Sequence, residues 1–262
     1  MSKIALGTVQ FGMNYGISNT TGQVSFAEIA KILDFCKHHD IDTLDTAQGY
    51  GESEKVLGQF NLSSFKVITK LIGSAHLETS LDNLKLNSVY GLMFHRENEC
   101  NDQTWCQFES YKTQGLANKI GVSVYSPEVL IKLIDRYPIE IVQFPMNILD
   151  QRFIPLLEKL KSKGIEVHTR STFLQGLLLM DSIPDYFAPI KEKIVSIPMP
   201  HIEYALAFVK NQKYVDKMVL GVTKYQDLEE IYNAYKANVK VINFYQYAVS
   251  DEKYINPSIW RI

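Results

Sequence analysis

Eight short apolar segments alternate with amphipathic segments along the 262 residues, and this alternation predicts an α/β protein with a closed (β/α)8 (TIM) barrel. An open, doubly wound sheet is the competing fold. Such a sheet usually has a glycine-rich phosphate turn after its first strand, and residues 10–14 contain no GxGxxG pattern. No linker or change in composition divides the chain, so we expect residues 1–262 to form one domain.

Each predicted strand is a short apolar run bounded by turn residues or by an amphipathic segment. The eight runs cover residues 4–9, 41–46, 66–71, 89–95, 120–124, 139–144, 165–170 and 218–222. Between them, apolar residues recur at the three-and-four spacing of one buried helix face. Ser25 and the pair Ser126-Pro127 are typical of helix starts, and Gly164 is typical of a helix end.

Two segments depart from a plain alternation of strand and helix. Residues 171–199 are rich in proline and long for a connection, and long loops in compact domains tend to be functional. The tail from Asn243 contains Tyr245, Tyr247 and Trp260, which we expect to cover the barrel or its mouth.

Composition and charge exclude several classes of function. A formal net charge of −2 gives no reason to expect nucleic acid or an anionic membrane as a partner. No apolar run approaches the roughly 20 residues that a membrane span requires. Cys36, Cys100 and Cys106 are odd in number and scattered, which indicates reduced thiols and a cytoplasmic protein.

Polar residues follow three consecutive predicted strands. Asp45 ends the second strand, Lys70 the third and His95 the fourth, while Tyr50 lies on the loop after Asp45. In a barrel, residues at the carboxyl ends of the strands face the active site. A phenol, with an ordinary pKa of about 10, needs a nearby cation to act as an acid near neutrality.

Asp45 is the natural counter-charge for Lys70, because an unpaired buried ammonium costs several kcal/mol. We therefore expect Lys70 to lower the pKa of Tyr50, and His95 to orient a substrate carbonyl and help relay the proton. A purely structural Asp45–Lys70 ion pair is the alternative. His168 is interpreted as a barrel residue near the site.

Several motifs together resemble the aldo-keto reductase family. They are Leu6-Gly7-Thr8, Asp45-Thr46-Ala47-x-x-Tyr50-Gly51, Thr69-Lys70-Leu71, His95, Ile120-Gly121-Val122-Ser123, Val142-Gln143 and Leu174-Gln175-Gly176-Leu177-Leu178. The resemblance implies reduction of a small-molecule aldehyde or ketone with NADPH, with NADH as the alternative cofactor. It implies Tyr50 as general acid, Asp45 and Lys70 as residues that tune it, and His95 as the residue that orients the carbonyl.

The resemblance also implies a set of cofactor-binding residues. Ser123 and Gln143 match positions that hold the carboxamide, and the segment 170–176 matches the loop that covers the pyrophosphate. The implied cofactor residues are Thr8, Ser123, Gln143, Arg170, Ser171, Phe173, Gln175, Gly176, Gly221, Lys224 and Glu230.

The sequence departs from the family pattern at three positions. Arg170 replaces the aromatic residue that stacks on the nicotinamide, although a guanidinium also stacks on flat rings. Val124 replaces an asparagine after the carboxamide serine. Asp227 aligns with the arginine that reads the 2′-phosphate, which leaves Lys224 and the following helix N-terminus to receive a phosphate.

The substrate is the least determined part of the prediction. Phe11 and Tyr15 follow the first strand and line the substrate pocket or cap the barrel, and a sugar-derived carbonyl is one candidate. Cys36, His38 and His39 lie at the end of a helix away from the site, so no metal is expected. The alternative function is a regulatory or sensor barrel that binds nicotinamide with little turnover, and the oligomeric state stays open.

Overall fold

Eight parallel strands form a closed barrel in the computed structural model, which describes residues 2–240 and 243–261. Each strand pairs with its neighbour in sequence, and β1 pairs with β8 to close the barrel. The strands are β1 Ile4–Gly7, β2 Thr43–Asp45, β3 Lys66–Leu71, β4 Val89–Phe94, β5 Ala117–Ser123, β6 Ile141–Pro145, β7 Glu166–Arg170 and β8 Lys217–Gly221. The predicted (β/α)8 fold is confirmed.

Helices follow the strands as the amphipathic spacing predicts. They are α1 Val9–Gly12, α2 Phe26–His38, α3 Ser53–Leu57, α4 Leu77–Leu84, α5 Asp102–Thr113, α6 Pro127–Arg136, α7 Leu157–Ser162, α8 Lys191–Val195, α9 His201–Lys210, α10 Tyr225–Lys236 and α11 Glu252–Ile255. Within the described ranges, no helix combines the length and the apolar character needed to cross a membrane.

The predicted helix boundaries are confirmed where the sequence contains a capping residue. The Ser25 hydroxyl accepts a hydrogen bond from the N–H of Glu28, and the Ser126 hydroxyl accepts one from Val129. Gly164 follows α7 with a φ of +73°, a left-handed conformation that glycine adopts without strain. Local side-chain chemistry therefore determines these helix ends.

Three strands differ by two or more residues in length from their predicted apolar runs. β1 ends at Gly7, two residues before the predicted end, because α1 begins at Val9. β2 begins at Thr43 because the N–H of Ile41 bonds to the Cys36 carbonyl of α2 instead of to a neighbouring strand. β5 begins at Ala117, three residues before the predicted start, because pairing with Val89 of β4 extends it through polar residues. Hydrogen bonds at a helix end and between strands therefore override the apolar pattern.

The barrel interior has an apolar layer and a charged layer. Ile68, Met93 and Ile141 form the apolar layer, which is separate from the main core between the strands and the helices. In the amino-terminal half of the barrel, the Glu166 carboxylate accepts hydrogen bonds from Tyr90, Lys119 and His168.

Burial raises the pKa of Glu166, but the three hydrogen-bond donors outweigh burial, and the pKa lies well below its usual range. His168 is fully buried, and its Nε2 lies 2.7 Å from Glu166. His168 is thus a barrel residue, as the sequence analysis interprets it, and its hydrogen-bond partner Glu166 lies at the start of β7.

The long segment after β7 and the chain tail pack together. The segment contains two 3-10 helices, Leu174–Leu179 and Asp185–Ile190, followed by α8. The Trp260 ring packs edge-on against Phe187, and the Gln151 side chain donates to the Phe244 carbonyl. The tail therefore covers the side of the barrel that follows β6, whereas Tyr245 is 69% exposed and its ring packs against Phe244 of the same tail.

Gly121 generates a prediction about barrel stability. A Cβ atom at this position would lie 1.7 Å from the Ile141 carbonyl oxygen on the neighbouring strand, so β5 and β6 would have to separate. We expect Gly121→Ala to lower the free energy of unfolding by about 1 to 3 kcal/mol or more, measured by urea denaturation. Asn118→Ala, at an exposed position of the same strand, is the control, and equal effects of the two changes would contradict the prediction.

Candidate active site

The four predicted catalytic residues meet at the carboxyl end of the barrel. Asp45 is the last residue of β2, Lys70 lies one residue before the end of β3, and His95 directly follows β4. Tyr50 lies in the turn between β2 and α3. The sequence analysis assigns all four to this rim, and the structure brings them together.

A buried ion pair is the centre of the group. The Lys70 ammonium lies 2.6 Å from Asp45 Oδ1, and the two side chains are only 1% and 2% exposed. The same ammonium donates to the Thr46 carbonyl at 3.0 Å and to the Tyr50 hydroxyl at 3.4 Å. Burial lowers the pKa of Lys70 below its usual value, while Asp45 acts in the opposite direction.

Asp45 is held on both its side chain and its backbone. Its second carboxylate oxygen accepts a 2.7 Å hydrogen bond from the Gln143 amide, and its carbonyl accepts one from the Thr8 hydroxyl at 3.0 Å. The Ser53 hydroxyl donates to the Thr8 carbonyl at 2.8 Å. Thr8 and Gln143 therefore position Asp45, and their roles toward a cofactor stay predictions.

Close backbone approaches hold the turn that carries Tyr50. A Cβ atom on Gly12 would lie 1.8 Å from the Tyr50 carbonyl oxygen, so only glycine fits there without moving the turn. Gly51 has a φ of +56°, in the left-handed region that glycine adopts readily. The glycine spacing in the sequence thus corresponds to a turn pressed against α1.

The net pKa of Tyr50 lies above its ordinary value. Burial raises this pKa, the Asp45 carboxylate raises it further, and Arg170 opposes them. That Lys70 tunes the phenol stays a prediction, supported by the 3.4 Å contact between its ammonium and the Tyr50 hydroxyl. The phenol is protonated at neutral pH, which is the form that a general acid requires.

His95 is neutral at physiological pH. Burial, reinforced by the Lys70 ammonium, lowers the pKa of His95 to about 3. Its ring meets that of Tyr50 edge-on with the centroids 5.5 Å apart, and its Nδ1 atom is buried with no hydrogen-bond partner among the described residues. A neutral imidazole can orient a carbonyl through a hydrogen bond, but it carries no positive charge.

The sequence analysis missed an aromatic residue beside Arg170. The Arg170 guanidinium carbon lies 4.0 Å from the centroid of the Tyr125 ring, and Nη2 donates to the Val124 carbonyl at 3.3 Å. Tyr125 follows the end of β5, and Arg170 ends β7. The only signal in the sequence is an aromatic residue at a strand end, because the stack depends on how two non-adjacent strands are placed.

The two predicted substrate residues have different environments. Tyr15 is 39% exposed, and its hydroxyl accepts a 3.0 Å hydrogen bond from Gln175. Phe11 is fully buried within the main hydrophobic core. Phe11 therefore packs the barrel and offers no surface to a substrate, which corrects its assignment to the pocket.

The loop after β7 has an unusual backbone and an unpaired hydroxyl. Ser171, Leu174 and Gln175 have φ values of +62°, +49° and +54°, and such residues tend to occur at ligand-binding sites. The Thr172 hydroxyl is buried with no hydrogen-bond partner in the part of the chain that the structure describes. Phe173 is half-buried, and Gly176 approaches Ser18 so closely that a Cβ atom would collide with it. The role of this loop in covering a cofactor stays a prediction.

Carboxylates occupy the amino terminus of α10. Asp227 accepts hydrogen bonds from the N–H groups of Thr223 and Lys224 at 3.0 and 3.1 Å, and Glu28 accepts one from Tyr225 at 2.9 Å. The Lys224 ammonium lies 3.9 Å from Asp227. The donors that were expected to receive a phosphate are thus already paired with negative charge.

Gly221 and Glu230 are the two other predicted cofactor residues of this region, and both are exposed.

Metal binding has no support in this part of the structure. The rings of His38 and His39 bond to the carbonyls of Asp34 and Phe35 in α2 through their Nδ1 atoms. Over residues 2–240 and 243–261, no group of three or more His, Cys, Asp or Glu side chains is arranged to hold a metal ion.

The fold and this rim define a (β/α)8-barrel protein with an Asp–Tyr–Lys–His group at the carboxyl ends of its strands. The family model of the aldo/keto reductase family matches residues 3–252. The chain therefore belongs to the aldo/keto reductase family, which makes it a carbonyl oxidoreductase.

Solved structures of the same fold share little sequence with this chain. The holo form of aldo-keto reductase AKR11C1 from Bacillus halodurans is 18% identical, with a TM-score of 0.77, over 94% of this chain and 90% of that chain. Glycerol dehydrogenase AKR11B4 from Gluconobacter oxydans is 19% identical, with a TM-score of 0.72, over 92% and 88% of the two chains. No curated protein matches the sequence significantly.

The depressed pKa of His95 predicts an effect of pH on stability. Because the folded-state pKa of about 3 lies below the ordinary 6.5, the unfolded chain binds more protons between these values. The His95 contribution is fully present above pH 6.5 and is lost as the pH falls toward 3, by up to about 1.4 kcal/mol per pH unit.

We expect His95→Asn to flatten the fall in the free energy of unfolding between pH 6.5 and pH 4, measured by urea denaturation. His38→Gln, at an exposed site on α2, is expected to keep the slope of the unmodified protein. An unchanged slope in His95→Asn would show that this imidazole titrates normally.

Proposed function

We propose that the protein reduces an aldehyde or ketone to an alcohol with a nicotinamide cofactor, and that Tyr50 is the general acid. The observation that carries the proposal is the buried contact between the Lys70 ammonium, Asp45 and the Tyr50 hydroxyl. A bound nicotinamide supplies the hydride, which adds to the carbonyl carbon, while the protein supplies a proton to the oxygen. The products are the alcohol and the oxidised cofactor.

In this proposal each polar residue has a separate role. Tyr50 is protonated when substrate arrives and transfers its proton as negative charge develops on the carbonyl oxygen. The Lys70 ammonium, 3.4 Å from the phenol oxygen, stabilises the phenolate that is left, and Asp45 holds the ammonium in position. Neutral His95 donates a hydrogen bond that orients the carbonyl.

The cofactor would be held by residues on the carboxyl-end rim. Ser123 at the end of β5 and the loop from Ser171 to Gly176 are the proposed contacts, and the unpaired Thr172 hydroxyl supports them. We propose that the whole chain acts as one barrel domain in the cytoplasm, in agreement with three free cysteines in the described chain.

The resemblance implies NADPH, and the charges at α10 weigh against it. A 2′-phosphate at the amino terminus of α10 would lie beside the carboxylates of Asp227 and Glu28. These carboxylates already accept hydrogen bonds from the N–H groups of the helix terminus. Like charges placed together are destabilising. We therefore propose that NADH binds at least as tightly as NADPH.

Replacing the Tyr50 phenol tests the reaction. Tyr50→Phe is expected to lower turnover of small aldehydes by at least about 10²- to 10⁴-fold, while the dissociation constant of the cofactor stays nearly unchanged. The measurements are steady-state kinetics and calorimetric titration with the preferred cofactor. Tyr245→Phe, on an exposed ring, is the control.

Undiminished turnover in Tyr50→Phe would remove Tyr50 from its role as general acid.

A regulatory barrel is the alternative function, and it predicts a different experimental result. Tight cofactor binding by the unmodified protein, with no hydride transfer to any member of a broad carbonyl panel in a single-turnover assay, would favour regulation.

Cofactor preference has its own test. Titration of the unmodified protein is expected to give a dissociation constant for NADH equal to or below that for NADPH. The double variant Glu28→Gln/Asp227→Asn is expected to shift the ratio of the two constants toward NADPH by about tenfold or more, because it removes two negative charges. Glu229→Gln, an exposed change on the same helix, is the control; a wild-type preference for NADPH would contradict the charge argument.

A further inference from the structure

Among the residues that the structure describes, Arg170 has no negatively charged partner. Arg136 and Arg152 form salt bridges with Asp102 and Asp150. No salt bridge within residues 2–240 and 243–261 includes Arg170. A guanidinium has five N–H donors, and here one of its nitrogens donates to the Val124 carbonyl. Arg170 is half-buried, so this unpaired charge lacks full hydration.

The Tyr125 ring holds the guanidinium in a defined orientation. The guanidinium carbon lies 4.0 Å from the ring centroid, and such a stack is attractive because the ring face is negative. A planar guanidinium whose edges are free is suited to bidentate recognition of a carboxylate or a phosphate. The stack therefore fixes the orientation of the Arg170 guanidinium and leaves most of its N–H donors free to bind a ligand.

The positive charge of Arg170 acts on the catalytic residues. It lowers the pKa of Tyr50, and it also lowers the pKa values of Lys70 and His95, although burial is the largest cause at all three groups. The guanidinium also acts on Tyr15, whose hydroxyl bonds Gln175 across the mouth. Arg170 ends β7 at the same carboxyl-end rim as Asp45, Lys70 and His95. An anion bound by Arg170 would therefore lie on the face of the barrel where a carbonyl reacts.

We propose that Arg170, held by Tyr125, binds an anionic group of the carbonyl substrate, so that the preferred substrates are aldehydes or ketones that carry a carboxylate or a phosphate. This inference rests on the proposed carbonyl reduction and names its substrate class. The anion supplies the counter-charge that the protein lacks at this position, and its binding orients the carbonyl toward Tyr50.

Binding measurements test the proposal without any turnover. The ligands are two matched pairs of alcohols: 4-hydroxybutyrate with 1,4-butanediol, and glycerol 3-phosphate with glycerol. Calorimetric titration is expected to show that at least one anion binds about 10- to 100-fold more tightly than its neutral partner, as hydrogen bonds to a charged group predict. The two pairs distinguish carboxylate from phosphate.

Variants of Arg170 identify the group responsible. Arg170→Met is expected to abolish the difference between anion and neutral partner, and Arg170→Lys to restore part of it, because lysine keeps the charge without the bidentate geometry. Arg96→Met removes a cation from an exposed position of the same rim and is expected to preserve the difference. Circular dichroism and urea denaturation check that each variant is folded.

Steady-state kinetics with matched aldehydes provide the second readout. The two pairs are succinic semialdehyde with butyraldehyde, and glyceraldehyde 3-phosphate with glyceraldehyde. The ratio of kcat/KM between anionic and neutral partner is expected to fall about 10- to 100-fold in Arg170→Met. Equal binding of anions and neutral ligands by the unmodified protein would overturn the proposal, and so would an anion preference that survives Arg170→Met.

A third result separates substrate from cofactor. If Arg170→Met weakens NADH binding and leaves the preference for anionic ligands intact, Arg170 serves the cofactor and the proposal is wrong. The Tyr50→Phe experiment uses neutral aldehydes, so reduction itself can hold even when the anion proposal fails.

Discussion

The buried ion pair between Lys70 and Asp45 is the interaction on which the rest of the site depends. Two nearly unexposed charges are stable only when their remaining hydrogen-bonding capacity is used, because desolvation of ions costs more than a simple pair returns. The Gln143 amide donates a hydrogen bond to the second carboxylate oxygen of Asp45, and the Lys70 ammonium donates a further hydrogen bond to the Thr46 carbonyl. The barrel supplies these partners from the ends of β2, β3 and β6, which the closed sheet holds at one rim.

The same burial controls the two proton-handling groups beside the pair. Tyr50 stays protonated and His95 stays neutral, since removal from water disfavours the charged form of each. In the proposed reaction, the protonated Tyr50 phenol beside the Lys70 ammonium releases its proton as negative charge develops on the bound carbonyl oxygen. Arg170 adds positive charge to this region and has no anionic partner among the described residues, and the proposed anion site connects this charge to the choice of substrate.

Local patterns in the sequence predicted most of the fold and the centre of the site. Residues 66–71 form β3 as the apolar run predicts, and Ser25 and Ser126 begin helices by capping bonds that involve residues three positions apart. Asp45, Lys70 and His95 could be assigned to one rim because strand ends in a barrel share a face. The sequence did not predict that burial raises the pKa of Tyr50, because the degree of burial is a property of the packed structure. Phe11 was assigned to the pocket because its position after β1 does not reveal which way α1 turns its side chain.

The sequence by itself determined the alternation of strand and helix, the identities of the four polar residues at the strand ends and the glycines that let the Tyr50 turn approach α1. The tertiary structure decided which groups those residues meet: Gln143 with Asp45, Tyr125 with Arg170, and Glu28 with the start of α10. The physical reason is distance along the chain. Capping and periodicity act between residues a few positions apart, whereas these contacts join residues 45 and 143, 125 and 170, and 28 and 225, which only the closed barrel brings together.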